Sequence, residues 1–154
     1  KVQTVVTLKG RDNFASEYRY DVSIHNLSPD TFVADSLIIV LDRITNLAGE
    51  DHEALTGESF LKRFDILGED GHTAEGKPYF QVPVGPVPDL IPQADSSPAI
   101  VRIRNRDYVA VFTPSFRVLG QKRLAKGTKN GESSTAAGGS TITNRAAIDK
   151  LIQL

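Results

Sequence analysis

Residues Ser16 to Asn26 read S-E-Y-R-Y-D-V-S-I-H-N, the strongest structural signal in the chain. Every second residue is apolar, namely Tyr18, Tyr20, Val22 and Ile24. The residues between them, Arg19, Asp21, Ser23 and His25, are polar. This period of two predicts a β-strand with one buried and one solvated face. The turn formers of Asn26-Leu27-Ser28-Pro29-Asp30 then end the strand.

Stretches of strand character continue on both sides of this segment. Residues 2–9 are rich in β-branched side chains and close at a turn cluster, which predicts a first strand pairing with residues 16–26. The continuous apolar run at 36–41 predicts a central strand buried on both faces. Further strands are predicted at 79–84, 99–104 and 108–119. Short strands separated by turns predict an all-β, antiparallel sandwich of about seven strands.

The composition changes at Gly120. Residues 1–120 form the predicted sandwich domain, and residues 121–143, rich in Gly, Ser, Thr, Ala and Lys, form a predicted flexible linker. Residues 144–154 predict a short amphipathic helix. Its apolar stripe is Ala147, Ile148, Leu151 and Ile152. A helix of this length is marginal alone in water, so we expect the stripe to dock on its own domain, a neighbouring subunit or a further domain. The equally weighted alternative is that these residues are the first turns of a larger downstream element.

Composition excludes several classes of function. The chain has 154 residues and a formal net charge of -1, which argues against a nucleic-acid surface. No apolar run approaches the ~20 residues that span a bilayer. Cysteine is absent, which removes disulfides, thiolate catalysis and cysteine-ligated zinc. Tryptophan is absent too, which weakens a carbohydrate-binding interpretation without removing it.

Four segments together resemble an immunoglobulin-like or fibronectin-like β-sandwich module of large exported bacterial proteins. They are Tyr20 to Ser28, Ile38 to Ile44, Gly76-Lys77-Pro78-Tyr79, and the closing Phe112-Thr113-Pro114 strand to Gly120. The resemblance covers residues 1–120 and departs from the pattern at 47–59 and 102–106. It implies an accessory fold in a secreted or cell-surface protein, with a periplasmic setting as the alternative. It implies no functional residues, because such modules share no active site.

Metal ligands are the first class of candidate site. His52 between Asp51 and Glu53, and His72 after Asp70, lie in loops that would have to converge, and the spacing matches no known ligand pattern. His25 is predicted to be solvated. Asp65, Glu69 and Asp70, around two glycines, offer carboxylates for calcium, although the run is not an EF-hand. A solvated loop is the preferred interpretation.

Arginines and tyrosines are the remaining candidates. Arg102, Arg104 and Arg106 share one strand face, with Arg117 as a candidate neighbour, and are interpreted as a solvated edge or as an anion-binding patch. Exposed tyrosines at 18, 79 and 108 would favour carbohydrate binding, whereas tyrosines in the core would favour a structural module. No G-x-S-x-G elbow or Ser/His/Asp spacing is present.

These observations predict a non-catalytic structural or interaction module of a secreted or cell-surface bacterial protein. Its expected partner is a protein, contacted through the C-terminal helix, with no nucleic acid and no membrane span. The alternative is a carbohydrate- or calcium-binding accessory domain. Calcium is the one cofactor considered, and no enzyme activity is predicted.

Overall fold

The computed structural model describes residues 1–46, 49, 59–86, 88–123 and 151–154. These residues form antiparallel sheets and two short 3₁₀ turns, Ala34–Ser36 and Phe60–Arg63. The strands, in chain order, are β1 (Val2–Asp12), β2 (Glu17–Asn26), β3 (Phe32–Val33), β4 (Ile38–Thr45), β5 (Asp65–Leu67), β6 (Gly71–His72), β7 (Pro78–Gln81), β8 (Asp89–Leu90), β9 (Ala99–Arg104), β10 (Thr113–Gly120) and β11 (Ile152–Gln153). The predicted all-β, antiparallel class is confirmed.

The first sheet has the order β1-β2-β9-β5. The alternating stretch is β2, and its apolar residues Val22 and Ile24 are fully buried, as the period of two predicts. The β1–β2 hairpin turns at Asp12, whose carboxylate accepts hydrogen bonds from the backbone N–H groups of Phe14 and Ala15. A β-bulge between Leu8 and Gly10 interrupts the register of the hairpin.

The second sheet has the order β11-β10-β4-β7-β6. Its central strand β4 begins with Ile38, Ile39, Val40 and Leu41, all fully buried, so residues 38–41 of the run predicted at 36–41 form a strand covered on both faces. Ser36 instead ends the 3₁₀ turn Ala34–Ser36, and Leu37 follows it before the strand begins. A third, two-stranded sheet pairs β3 with β8.

Both large sheets contribute to one hydrophobic core. Buried residues of β2 and β9, such as Val22 and Val101, belong to the same cluster as Ile39 of β4 and Val118 of β10. Burial of this shared apolar surface is the main force holding the sheets together.

The C-terminal residues differ from the sequence-based expectation. Ile152–Gln153 is strand β11, paired with β10 at Leu119 and Gly120, where a helix was predicted. These residues are extended because they pair with the edge of β10, where the backbone N–H of Leu154 donates to the carbonyl oxygen of Val118 (2.9 Å). Residues 144–150 of the predicted helix, and linker residues 124–143, lie outside the described residues.

Residues that follow the predicted domain boundary at Gly120 also contact the preceding part of the fold. The backbone N–H of Gln121 donates to Ser36 Oγ (2.8 Å), and Arg123 pairs with Asp89 (2.6 Å). That pairing raises the pKa of the Arg123 guanidinium above its usual value. No helix in the described residues is long and apolar enough to cross a membrane.

Candidate functional site

The outer edge of β1 is the candidate interaction surface of this chain. β1 is the terminal strand of its sheet, and in the part of the chain that the structure describes no strand pairs with its outer side. Residues 2–8, V-Q-T-V-V-T-L, carry no charge and no proline. Proteins usually protect long edge strands with charges, prolines or covering segments, so an uncharged edge of this length is a potential pairing surface.

The hydrogen bonds of β2 show which backbone groups of β1 point outward. Leu27 N–H donates to the Lys1 carbonyl (3.1 Å), whereas Asn26 N–H donates away from β1, to the Ala94 carbonyl (3.0 Å). Ile24 N–H likewise donates away from β1, to Ser96 Oγ (2.9 Å). Because hydrogen-bonded and non-hydrogen-bonded pairs alternate in an antiparallel ladder, β1 residues opposite Asn26 and Ile24 direct their N–H and C=O groups to the open side.

The outward set follows from the register of the hairpin. Val2 lies opposite Asn26, Thr4 opposite Ile24, Val6 opposite Val22 and Leu8 opposite Tyr20. These even-numbered residues therefore present N–H and C=O groups along the open edge. The odd-numbered residues Gln3, Val5 and Thr7 use theirs in the ladder to β2.

Apolar side chains line the same edge. Val2 packs against the core, but Val6 and Leu8, further along the same face, are 41% and 51% exposed. Val5 on the opposite face is 42% exposed. Strand addition uses two features that this edge combines: exposed apolar side chains, and backbone N–H and C=O groups with no strand partner among the described residues.

The structure does not assemble the predicted metal candidates into one site. Asp65 forms an ion pair with Arg106 (2.6 Å), and Asp70 accepts a hydrogen bond from the backbone N–H of Gln81 (2.7 Å). Glu69 lies 3.8 Å from His72. Asp65, Glu69 and His72 line a cleft of about 490 Å³ that also contains cationic side chains, Lys62, Lys77 and Arg104. Among the described residues, no group of three acidic, His or Cys side chains is placed to hold a metal.

The other histidines are separate from this cleft. His25, predicted to be solvated, is half-buried on the outer face of β2, with Nδ1 2.8 Å from the Asp95 carboxylate. His52 and its neighbours Asp51 and Glu53 lie outside the described residues.

The arginines of β9 lie beside carboxylates. Glu17 lies 3.6 Å from Arg102 and 3.8 Å from Arg104. β9 runs between β2 and β5, so these side chains cover the outer face of an interior strand and the interpretation as an edge is wrong. Arg117 is on the other sheet and pairs with Asp42 (3.0 Å). The ion pairs offset the positive charge that an anion-binding patch would need.

The tyrosines divide between core and surface. Tyr20 and Tyr79 are buried. Burial, and then repulsion from the nearby Tyr18, raise the pKa of Tyr20 to about 12. Burial, and then the Asp70 carboxylate, raise the pKa of Tyr79 as well. Tyr18 and Tyr108 instead line one cavity of about 360 Å³ at the hairpin end of the molecule, where Tyr108 is 70% exposed. The remaining lining residues are Arg11, Asn13, Ser16, Asn105, Val109 and Ala110.

The predicted C-terminal contact residues are only partly described. Ala147 and Ile148 lie outside the described residues. Leu151 packs against the cluster of Ile38, Val40 and Tyr79, within the chain's own second sheet. Ile152 is 52% exposed. A role of this stripe in binding a partner stays a prediction.

Reasoning from the sequence did not single out the outer edge of β1 as a candidate surface. The uncharged run at residues 2–8 was the available signal, but it is equally typical of a strand paired on both sides. Comparison with protein-family models, curated proteins and solved structures found no match.

Proposed function

We propose that this chain is a non-catalytic interaction module that contacts other proteins by strand addition at the outer edge of β1. The observation that carries the proposal is the row of outward N–H and C=O groups on Val2, Thr4, Val6 and Leu8, flanked by exposed apolar side chains. Strand addition gains its affinity from main-chain hydrogen bonds, so it needs an unprotected edge of this kind.

The proposal includes an immunoglobulin-like sandwich as the scaffold. Its support is the sheet order, since β1-β2-β9-β5 and β11-β10-β4 correspond to the strand neighbours A-B-E-D and G-F-C of that fold. The chain departs from the pattern between β4 and β9, where β5 joins the first sheet before β6 and β7 join the second. The setting we propose, a secreted or cell-surface bacterial protein, rests on the resemblance of the sequence segments alone.

A neutral strand peptide tests the proposed function. We would titrate the protein with a peptide of alternating threonine and valine, flanked by lysines for solubility, and follow amide hydrogen exchange at Thr4 and Val6. Binding should slow exchange at both amides, since each would donate to the peptide. Exchange that stays fast at both amides at saturating peptide would count against strand addition.

Two proline variants provide the matched control. Thr4→Pro removes an outward N–H and should abolish peptide binding while the fold remains, because proline is tolerated where the N–H faces away from the ladder. Val5→Pro removes an N–H that bonds to β2 and should instead lower the stability of the hairpin.

Carbohydrate binding is a second candidate, favoured by one observation. The cavity at the hairpin end places the exposed Tyr108 beside Arg11 and Asn13, an aromatic side chain next to hydrogen-bonding groups. Calcium has no comparable support, because Asp65, Glu69 and Asp70 already have protein partners.

A panel of neutral oligosaccharides tests this candidate by titration calorimetry. Tyr108→Ala should weaken any binding at least tenfold by removing an aromatic wall of the cavity. Phe14→Ala is the control, because Phe14 is exposed at the same end but is not among the residues that line the cavity. Equal loss in both variants, or no binding by the intact chain, would rule the cavity out as the binding site.

A further inference from the structure

We propose that the partner at the β1 edge is a second copy of this chain, paired antiparallel about a two-fold axis at Val5. This inference rests on the proposed function, because it names the partner of the same edge. In this arrangement the first sheets of the two copies join into one continuous sheet, with a residue at position n of one copy opposite position 10 minus n of the other.

The backbone selects this register. The core-side faces of the two copies lie on the same side of the joined sheet only when even-numbered residues of one copy oppose even-numbered residues of the other. With Val5 on the axis, Val2 of each copy lies opposite Leu8 of the other, and Thr4 of each copy lies opposite Val6 of the other. Every outward-facing residue then forms a hydrogen-bonded pair. A shift of two residues in either direction puts Thr4 or Val6 on the axis and leaves one outward residue of each copy outside the pairing.

The side chains are self-complementary in the same register. On the core-side face, Val2 meets Leu8 and Thr4 meets Val6, so the exposed Val6 and Leu8 of each copy gain cross-strand neighbours. On the opposite face, Val5 meets its own counterpart and Gln3 meets Thr7. No charge lies between positions 2 and 8, so no like charges face each other along the paired segment.

Like charges meet at both ends of the paired segment and oppose the pairing. Lys1 of each copy lies opposite Lys9 of the other, beside the bulge. Salt screens this repulsion between exposed charges, so added salt should strengthen association severalfold. Lys9→Glu would make each end an attractive pair, and its association should weaken with salt instead.

The expected association is weak and reversible. A seven-residue strand pair with few covered side chains buries less surface than the roughly 1,200–2,000 Å² of stable interfaces. We therefore expect a dimer that is populated in the range of about 10 µM to 1 mM and dissociates on dilution.

Single-cysteine variants test the two-fold axis, and the absence of native cysteine makes them specific. Val5→Cys places two thiols directly opposite each other and should form a covalent dimer under mild oxidation. Gln3→Cys, on the same face of the same strand, places its two thiols about 13 Å apart and should stay monomeric. A mixture of Gln3→Cys and Thr7→Cys should form the mixed disulfide. Equal cross-linking of Val5→Cys and Gln3→Cys, or none in either, would overturn the proposal.

The other occupants of the edge give different results. A chain that is monomeric at 1 mM but binds the neutral strand peptide would keep the proposed function and overturn self-pairing. A chain that neither dimerises nor binds the peptide would overturn both. Protected Thr4 and Val6 amides in a monomer would mean that another part of the chain covers the edge, and would likewise overturn self-pairing.

Discussion

Asn26 is the residue on which the end of β2 depends. Its amide nitrogen donates to the carbonyl oxygens of Asp30 (2.7 Å) and Leu90 (3.1 Å), and its amide oxygen accepts from Ser28 N–H (2.9 Å) and Oγ (2.7 Å). The side chain is fully buried, and all four hydrogen-bonding positions of the amide are used. The turn that the sequence predicted here is thus held by a side chain that also reaches β8.

Asn26→Asp should lower the free energy of unfolding by about 3 kcal/mol or more at neutral pH. The new carboxylate would face two carbonyl oxygens with no donor between them, and its charge would be buried. The loss should shrink at acidic pH, where the protonated acid regains one donor. Ser28→Ala is the control, with an expected loss of about 1 kcal/mol, measured by urea unfolding. Equal losses in both variants would argue against this role of the amide nitrogen.

Tyr20 makes stability sensitive to alkaline pH. Its pKa of about 12 in the folded state exceeds the ordinary value of 10.0, so the unfolded state loses the phenolic proton first as pH rises. Stability from this group is therefore complete below pH 10 and falls between pH 10 and about 12. The full effect is roughly 2–3 kcal/mol.

Unfolding curves at pH 9 and pH 11.5 measure this effect in matched variants. Tyr20→Phe should reduce the alkaline loss, whereas Tyr108→Phe, which changes an exposed side chain, should retain it. An unchanged alkaline loss in Tyr20→Phe would assign the sensitivity to other groups, among them the buried Tyr79, whose pKa is also raised.

At the scale of an element, β11 completes the second sheet with few residues. Leu154 packs against the main core and Leu151 against the smaller cluster on the other face of the sheet. Gly120 permits this close approach, because a Cβ there would lie 2.7 Å from Leu37 Cδ2 and 3.0 Å from Leu154 Cδ1. The C-terminal residues are therefore part of the fold of residues 1–123.

Leu154→Ala should lower the free energy of unfolding by about 1–2 kcal/mol, since a half-buried leucine loses part of its contacts with the core. Ile152→Ala, two residues earlier in β11 but 52% exposed, should change it by less than about 0.5 kcal/mol. Thermal unfolding monitored by circular dichroism measures both. A negligible effect of Leu154→Ala would mean that the C-terminal strand is dispensable for stability.

At the scale of the whole molecule, the shared core predicts that the two large sheets unfold together. Ile39→Ala in β4 and Val101→Ala in β9 each remove fully buried methyl groups and should each cost about 2–4 kcal/mol. Both variants should shift one common transition, seen alike by tyrosine fluorescence and far-ultraviolet circular dichroism. Ile100→Ala, an exposed neighbour on the outer face, is the control. Two separated transitions in either core variant would show that the sheets unfold independently.

The strands with the clearest patterns could be predicted from the sequence, but their limits could not. The strand predicted from Tyr108 begins at Thr113 instead. The amide of Asn105 bonds to the backbone N–H and C=O of Val109 (both 2.9 Å), and Tyr108 has a positive φ of 53°, so this segment forms a fixed loop. Such contacts depend on where the polar side chain points, and the apolar pattern carries no information about that.

The sequence by itself determined the β class, the buried face of β2 and the burial of β4 on both sides, because side-chain period and hydrophobicity are local properties. Only the tertiary structure decided which strand forms the edge, that β9 is interior, and that Ile152–Gln153 pairs with β10. Strand neighbours are set by contacts between distant parts of the chain. A short apolar segment adopts the conformation in which its neighbours can accept and donate its backbone hydrogen bonds. The open edge of β1, on which the proposed function depends, belongs to this second kind of information.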